Sequence, residues 1–163
     1  MRRPKFLNTI LGVVIAAGCS SQQTPPMSPS LVGLNVLNIL TCAPLPAVSS
    51  SAVIGAAGGT LKVGPHRLVI PAGALSSEVL ISATIPSEKN NSVVFQPEGL
   101  RFAKAGSLTM SYANCLLPPL LGLGIVYTDD GLNILELLPS SMNLWNQTVT
   151  GKLSHFSRYA VAY

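Results

Sequence analysis

The chain has 163 residues, 48% of them hydrophobic and 10% charged, with a formal charge of +4. Three of its ten basic residues, Arg2, Arg3 and Lys5, stand at the N-terminus, and the other seven face six acidic ones. A remainder near neutrality, with no Lys/Arg cluster, argues against nucleic acid as a partner.

The first segment is built in three parts. Met1-Arg2-Arg3-Pro4-Lys5 is basic, residues 6–17 are almost wholly apolar, and Gly18-Cys19-Ser20-Ser21 is small. That order is the pattern of a secretory signal. A spanning helix needs about 20 apolar residues, so this run is too short to be a permanent span. Ala16-Ala17-Gly18-Cys19 resembles the bacterial lipobox, with Ala16 where leucine is usual. The resemblance implies a lipoprotein signal peptide over 1–18, cleavage before Cys19, and a membrane as partner through lipid on Cys19. A plain signal with an incidental cysteine is the alternative. Twin-arginine export on Arg2-Arg3 lacks the rest of its motif. Each buried methylene contributes about 0.8 kcal/mol, so the two or three acyl chains of such proteins hold firmly. Ser20, in place of an Asp, implies the outer membrane of a bacterial cell envelope, facing the periplasm or the surface.

Residues 19–30 hold Pro25, Pro26 and Pro29 and suit an extended tether. Residues 31–50 form a lead-in packed on the domain. Its apolar part, 31–40, carries Asn35 and Asn38 and predicts an extra strand or short helix. Residues 51–163 predict one all-β domain. Short β-prone runs lie at 60–63 and 67–70 around Gly64-Pro65, then at 79–85, 92–95, 108–112, 124–127, 134–138, 148–153 and 159–163. A helical turn or two over 132–138 is the competing reading. Strands at this spacing predict an antiparallel β-sandwich or barrel. Residues 116–123 are apolar, but Pro118-Pro119 makes them a loop rather than a central strand.

The two remaining cysteines are Cys42 and Cys115. In an exported chain an even pair reads as a disulfide, against two buried free thiols.

Three stretches resemble one family. They are Gly58-Gly59-Thr60-Leu61 with residues 68–75 (LVIPAGAL), residues 95–102 (FQPEGLRF) with 105–110, and residues 154–161 (SHFSRYAV). Together they look like the ZU-five domain of zonula-occludens and netrin-receptor proteins, in its bacterial secreted form. The resemblance implies an Ig-like β-sandwich that binds another protein. Gly73 and Gly99 stand where turns need positive φ.

His155-Phe156-Ser157 carries the one chemical hypothesis. In an animal protein with this domain type, a similar tripeptide cleaves its own Phe-Ser bond. Here Ser157 would attack the Phe156 carbonyl by an N-to-O acyl shift, water would hydrolyse the ester, and His155 would take the serine proton. The structural alternative is a turn with Phe156 packed in the core. His66 and His155 lack zinc spacing, and no nucleophile elbow occurs. Asp129-Asp130-Gly131 reads as a turn rather than a calcium loop. No cofactor or metal is expected, and no multiple-turnover enzyme. The expected function is a tethered binding or structural module with a protein partner, its contact surface the loop at 116–123. A sugar-binding sandwich would need an exposed aromatic platform, for which Trp145 is the one tryptophan.

Overall fold

Strands with alternating buried and exposed side chains build the computed structural model, which describes residues 37–116 and 122–163. Among the described residues, the strands in chain order are β1 Val48–Ile54, β2 Gly59–Val63, β3 His66–Ile70, β4 Val79–Ile85, β5 Ser92–Gln96, β6 Arg101–Ser111, β7 Gly124–Thr128, β8 Ile134–Leu137, β9 Ser140–Asn143, β10 Thr148–His155 and β11 Arg158–Ala162. They form two antiparallel sheets. One has the order β1-β4-β5-β11-β7-β8 and the other β2-β3-β6-β10-β9. Of the two all-β forms that the strand spacing predicts, sandwich or barrel, this is the sandwich.

The inward faces supply the core. Ile81, Ala83, Val93, Phe95, Ile125, Tyr159 and Val161 come from the larger sheet, and Leu61, Leu68, Leu108, Met110, Val149 and Leu153 from the smaller. Fully burying one such side chain contributes about 1.5–3 kcal/mol. The outer face of the larger sheet holds a second, small cluster. Val126, Ala160 and Ala162 are buried there under Leu37, Ile39 and Ile134.

The lead-in is hydrogen-bonded into that sheet. Asn38 and Tyr163 exchange backbone hydrogen bonds at 2.9 and 3.0 Å, and the Leu40 N–H donates to Val161 C=O at 2.8 Å. The Cys42 N–H then donates to Lys89 C=O at 2.7 Å. Isolated bridges Ile39↔Ala162, Thr41↔Asn90 and Cys42↔Cys115 follow the same path. The described part of the lead-in is therefore strand-like, not helical.

Three strands differ from expectation, the first being β1 at Val48–Ile54, which matches no predicted run and begins within the predicted lead-in. β6 starts at Arg101, seven residues before Leu108, because backbone pairing to β10 extends, past a register shift, to Arg101–His155. β9 was not expected at all. Its sequence is SSMN, without an apolar alternation, and only pairing with β10 makes it a strand. Residues 134–137 are a strand on β7, so the helical alternative is wrong. Amide partners on β7 satisfy their backbone, which a lone helical turn could not do as well.

Each sheet has one rim near the disulfide and one opposite it. The disulfide rim carries the β2–β3 turn, the end of β6, the start of β7 and the β9–β10 turn. The opposite rim carries the β1–β2 and β7–β8 turns and the passages β5–β6 and β10–β11. Gly73 and Gly99 lie at φ 74° and 73°, as their turns require.

His66 opens β3 at the disulfide rim and is 2% exposed. Its Nδ1 accepts the Ser111 N–H at 3.2 Å. Burial holds its pKa down, at about 4. The folded protein therefore keeps the ring neutral where the unfolded chain protonates it. Below pH 6.5 the unfolded state takes up the proton and the fold loses stability, until the folded-state pKa is reached. The expected loss between pH 7 and pH 4 is about 3 kcal/mol from this group alone. Urea melts of wild type and His66→Gln at both pH values measure it. Glutamine keeps an acceptor for Ser111 without titrating, so equal acid losses in both proteins would refute the assignment.

Candidate functional site

Two passages between the sheets meet at the rim away from the disulfide. β5 lies in the larger sheet and β6 in the smaller, and residues 97–100 carry the chain across, after a cis Gln96–Pro97 bond. β10 lies in the smaller sheet and β11 in the larger, and Phe156 and Ser157 carry the chain back. The two passages clamp each other. Phe156 N–H donates to Leu100 C=O at 2.8 Å, and Gly99 N–H donates to Phe156 C=O at 2.9 Å. Phe95 N–H donates to Ser157 C=O at 3.1 Å. Gly99 supplies its N–H from a left-handed conformation that glycine adopts without steric cost.

The side chains lock the corner from inside. Phe156 is fully buried, stacked on Phe95 with ring centroids 5.1 Å apart, and Phe102 meets it edge-on at 4.9 Å. The half-buried His155 ring lies edge-on to Tyr127 at 4.9 Å. Its Nδ1 lies 3.4 Å from the Phe156 carbonyl oxygen. The Tyr159 hydroxyl donates to His155 C=O at 2.5 Å. Burial, followed by the charges of Glu136 and Tyr127, raises the Tyr159 phenol well above its ordinary pKa, so it stays a donor.

The corner thus brings together the tripeptide singled out by sequence, but unevenly. A backbone N–H points at the carbonyl that Ser157 would attack, the placement that stabilises a developing oxyanion. His155 has its polar contact with that same carbonyl, not with the Ser157 hydroxyl. A general base needs the nucleophile within about 2.6–3.2 Å, or one water away.

Beside the corner, Arg158 heads a polar cluster on the outer face. Its Nη2 donates to Glu88 Oε1 at 2.6 Å and to Ser92 Oγ at 3.2 Å, and its Nη1 donates to Asp130 C=O at 2.9 Å. The Ser92 hydroxyl donates to the same Glu88 oxygen at 2.5 Å. Glu88 and Arg158 are 70 residues apart, and no sequence pattern marks such a pair. The Gly99 donor was equally unreadable, because a backbone amide has no residue signature. Burial of His66 was detectable in principle, since it alternates with Leu68 and Ile70 along β3.

The other sequence candidates fall as follows. Cys42 and Cys115 are joined by a disulfide, with Cα atoms 3.8 Å apart. Cys19 lies outside the described residues. So do residues 117–121 of the apolar loop; of its ends, Leu116 is 88% exposed and Leu123 is buried. Asp129 is held as a turn residue: its oxygens accept the Asn133 N–H and Nδ2, both at 2.8 Å, and that side-chain contact leads in lowering its pKa. Trp145 stands in the β9–β10 turn and is 97% exposed. No known protein-family model and no curated protein matches this chain.

Proposed function

We propose that this chain is a lipid-tethered binding module of the bacterial cell envelope, which presents its sandwich to a protein partner. The observation that carries the binding role is the edge of β1, the outermost strand of its sheet among the described residues. Its sequence, VSSSAVI, has no charge and no proline, and among the described residues it pairs only with β4, in an unbroken register. Sheet edges are ordinarily blunted by charges, proline, bulges or shortness. The other three edges follow that rule: β2 carries Lys62, β8 carries Glu136, and β9 has four residues. An extended segment of a partner would add to β1 through main-chain hydrogen bonds, with Val53 and the cross-strand Leu80 exposed beside it. A photoreactive residue at Ser51, compared with one at Ser154 on the smaller sheet, tests this in intact cells. A discrete adduct from Ser51 alone is expected; equal labelling from both positions refutes the edge.

Self-cleavage at Phe156–Ser157 is the second reading, supported by the Gly99 N–H on the Phe156 carbonyl. Intact mass of the protein extracted from membranes tests the tether and the cleavage together. The tether requires a chain that starts at Cys19 and carries acylglyceryl mass. Cleavage requires a species that ends at Phe156 and disappears in Ser157→Ala. A single uncleaved species in both proteins removes the second reading, and an unacylated chain removes the first.

A further inference from the structure

We infer that the disulfide rim is a lipid-facing surface: Leu144, Trp145 and Leu116 enter the interface of an anionic bilayer while Lys62, Arg67 and Lys89 meet its headgroups. The inference rests on the tethered reading and names what the tether brings the domain against.

Four observations converge on this rim. Leu144 and Trp145, 65% and 97% exposed, occupy the β9–β10 turn. That turn is bound to the segment leading to Leu116, because Tyr112 N–H donates to Gln147 C=O at 2.8 Å and Cys115 N–H donates to Tyr112 C=O at 3.0 Å. Leu116 is 88% exposed. Solvated leucine and tryptophan side chains grouped at one end are costly in water, and a membrane interface favours both.

Charge divides the same way. Lys62 and Arg67 face each other across the hairpin of β2 and β3, and Lys89 lies against Cys42 at this rim. The acidic side chain nearby, Glu88, is paired with Arg158. Glu78, Glu98, Asp129 and Asp130 lie at the opposite rim, with Arg101 and Lys104. The residues between Cys42 and β1, Ala43 to Ala47, add no charge and are mostly exposed.

The chain also enters here. Leu37 precedes the Asn38–Tyr163 pairing at the start of the described part of the lead-in, 18 residues after Cys19. Fully extended, those residues reach at most about 60 Å, so a chain held at Cys19 keeps this rim at high effective concentration near its own membrane. Weak insertion is then enough.

Trp145 is the only tryptophan in the sequence, so its fluorescence reports this rim alone. The acylated chain is reconstituted in vesicles of phosphatidylcholine and phosphatidylglycerol with bromine on the upper acyl carbons. Blue-shifted emission and loss of most of its intensity to bromine are expected, and Leu144→Ser with Leu116→Ser should restore solvent-like emission. If the chain floats with the vesicles while Trp145 stays solvent-like and unquenched, the insertion is refuted and the tether stands. If the extracted chain is unacylated, the tether fails, and the same vesicles titrated onto a chain starting at Ser20 decide the insertion by quenching or its absence. On that unacylated chain, changing Lys62, Arg67 and Lys89 together to Gln should weaken partitioning on the order of 100-fold. Unchanged partitioning refutes the headgroup contacts. A Trp145 shift with soluble oligosaccharide, and none with lipid, would replace the bilayer by a sugar.

Discussion

Phe156→Ala is expected to destabilise the domain by about 3–5 kcal/mol, the range for emptying a large aromatic site in a core that cannot collapse. The reason for the upper half of that range is local. Phe156 is fully buried, and two aromatic neighbours, Phe95 on β5 and Phe102 on β6, hold it from either side of the facing passage. Phe95 itself contacts Tyr159 at 6.2 Å, so the loss reaches the last strand. Aromatic pairs add about 0.5–1.5 kcal/mol each beyond the area they bury. The backbone hydrogen bonds of Phe156 to Leu100 and Gly99 do not depend on its ring, so the main chain has reason to stay in place and leave a void. Denaturant midpoints with an unchanged slope give the measurement. Phe156→Leu refills most of the volume and should recover more than half of the loss. An Ala variant within about 1 kcal/mol of wild type would show that the corner is not packed as described.

Removal of the Cys42–Cys115 bond has an expected cost of about 4 kcal/mol. The two residues are 73 apart in sequence, and closing a loop of that length removes a large share of the unfolded chain's freedom in the chain-entropy model. The bond also has a native-state role. It ties the lead-in to the end of β6, next to Ala43 N–H on Asn114 C=O at 2.9 Å and Asn114 Nδ2 on Ala43 C=O at 2.7 Å. Without it, residues 38–42 are still held by hydrogen bonds to Val161, Tyr163 and residues 89–91 and by the packing of Ile39 and Leu40, but lose their covalent tie to Cys115. Their amides should exchange first, ahead of the strands of the two sheets. The paired variant Cys42→Ser with Cys115→Ser avoids a stray thiol, and its urea unfolding against wild type reads the loss. A difference under about 1 kcal/mol, or Leu40 exchange as slow as that of Val93, would refute this role.

These two results bear on separate ends of the sandwich. The Phe156 corner and the disulfide rim lie at opposite ends of the same strands. A variant at one end should therefore leave the other's readout unchanged, within the additivity expected of distant sites. That separation lets the Trp145 fluorescence and the Phe156–Ser157 mass be tested on one protein.

Much of the fold was legible in the residues alone. Alternation along residues 79–85 and 148–153, and the turn residues Gly64-Pro65, Gly73 and Gly99, marked strands and connections that the structure contains. These are local signals, because side-chain period and φ preference act within a few residues. The even cysteine pair pointed to the bond between Cys42 and Cys115. Local signals failed where pairing did the deciding. The first half of β6 and all of β9 carry no apolar alternation, and neighbouring strands alone hold them extended. The same limit applies at the sites. Sequence singled out His155-Phe156-Ser157, but the Gly99 N–H on its carbonyl, the placement of His155 and the Glu88–Arg158 pair come from chain segments about 55 to 70 residues away or from backbone direction. The exposed end of the sandwich was also beyond reach of sequence. One tryptophan and scattered lysines become a surface only when hairpins from both sheets finish at the same rim. Periodicity and turn residues determined that this chain makes antiparallel β structure, a sandwich or a barrel; tertiary packing decided for two sheets and for which side chains share an end, because strands distant in sequence are brought together by hydrogen bonds that carry no side-chain code.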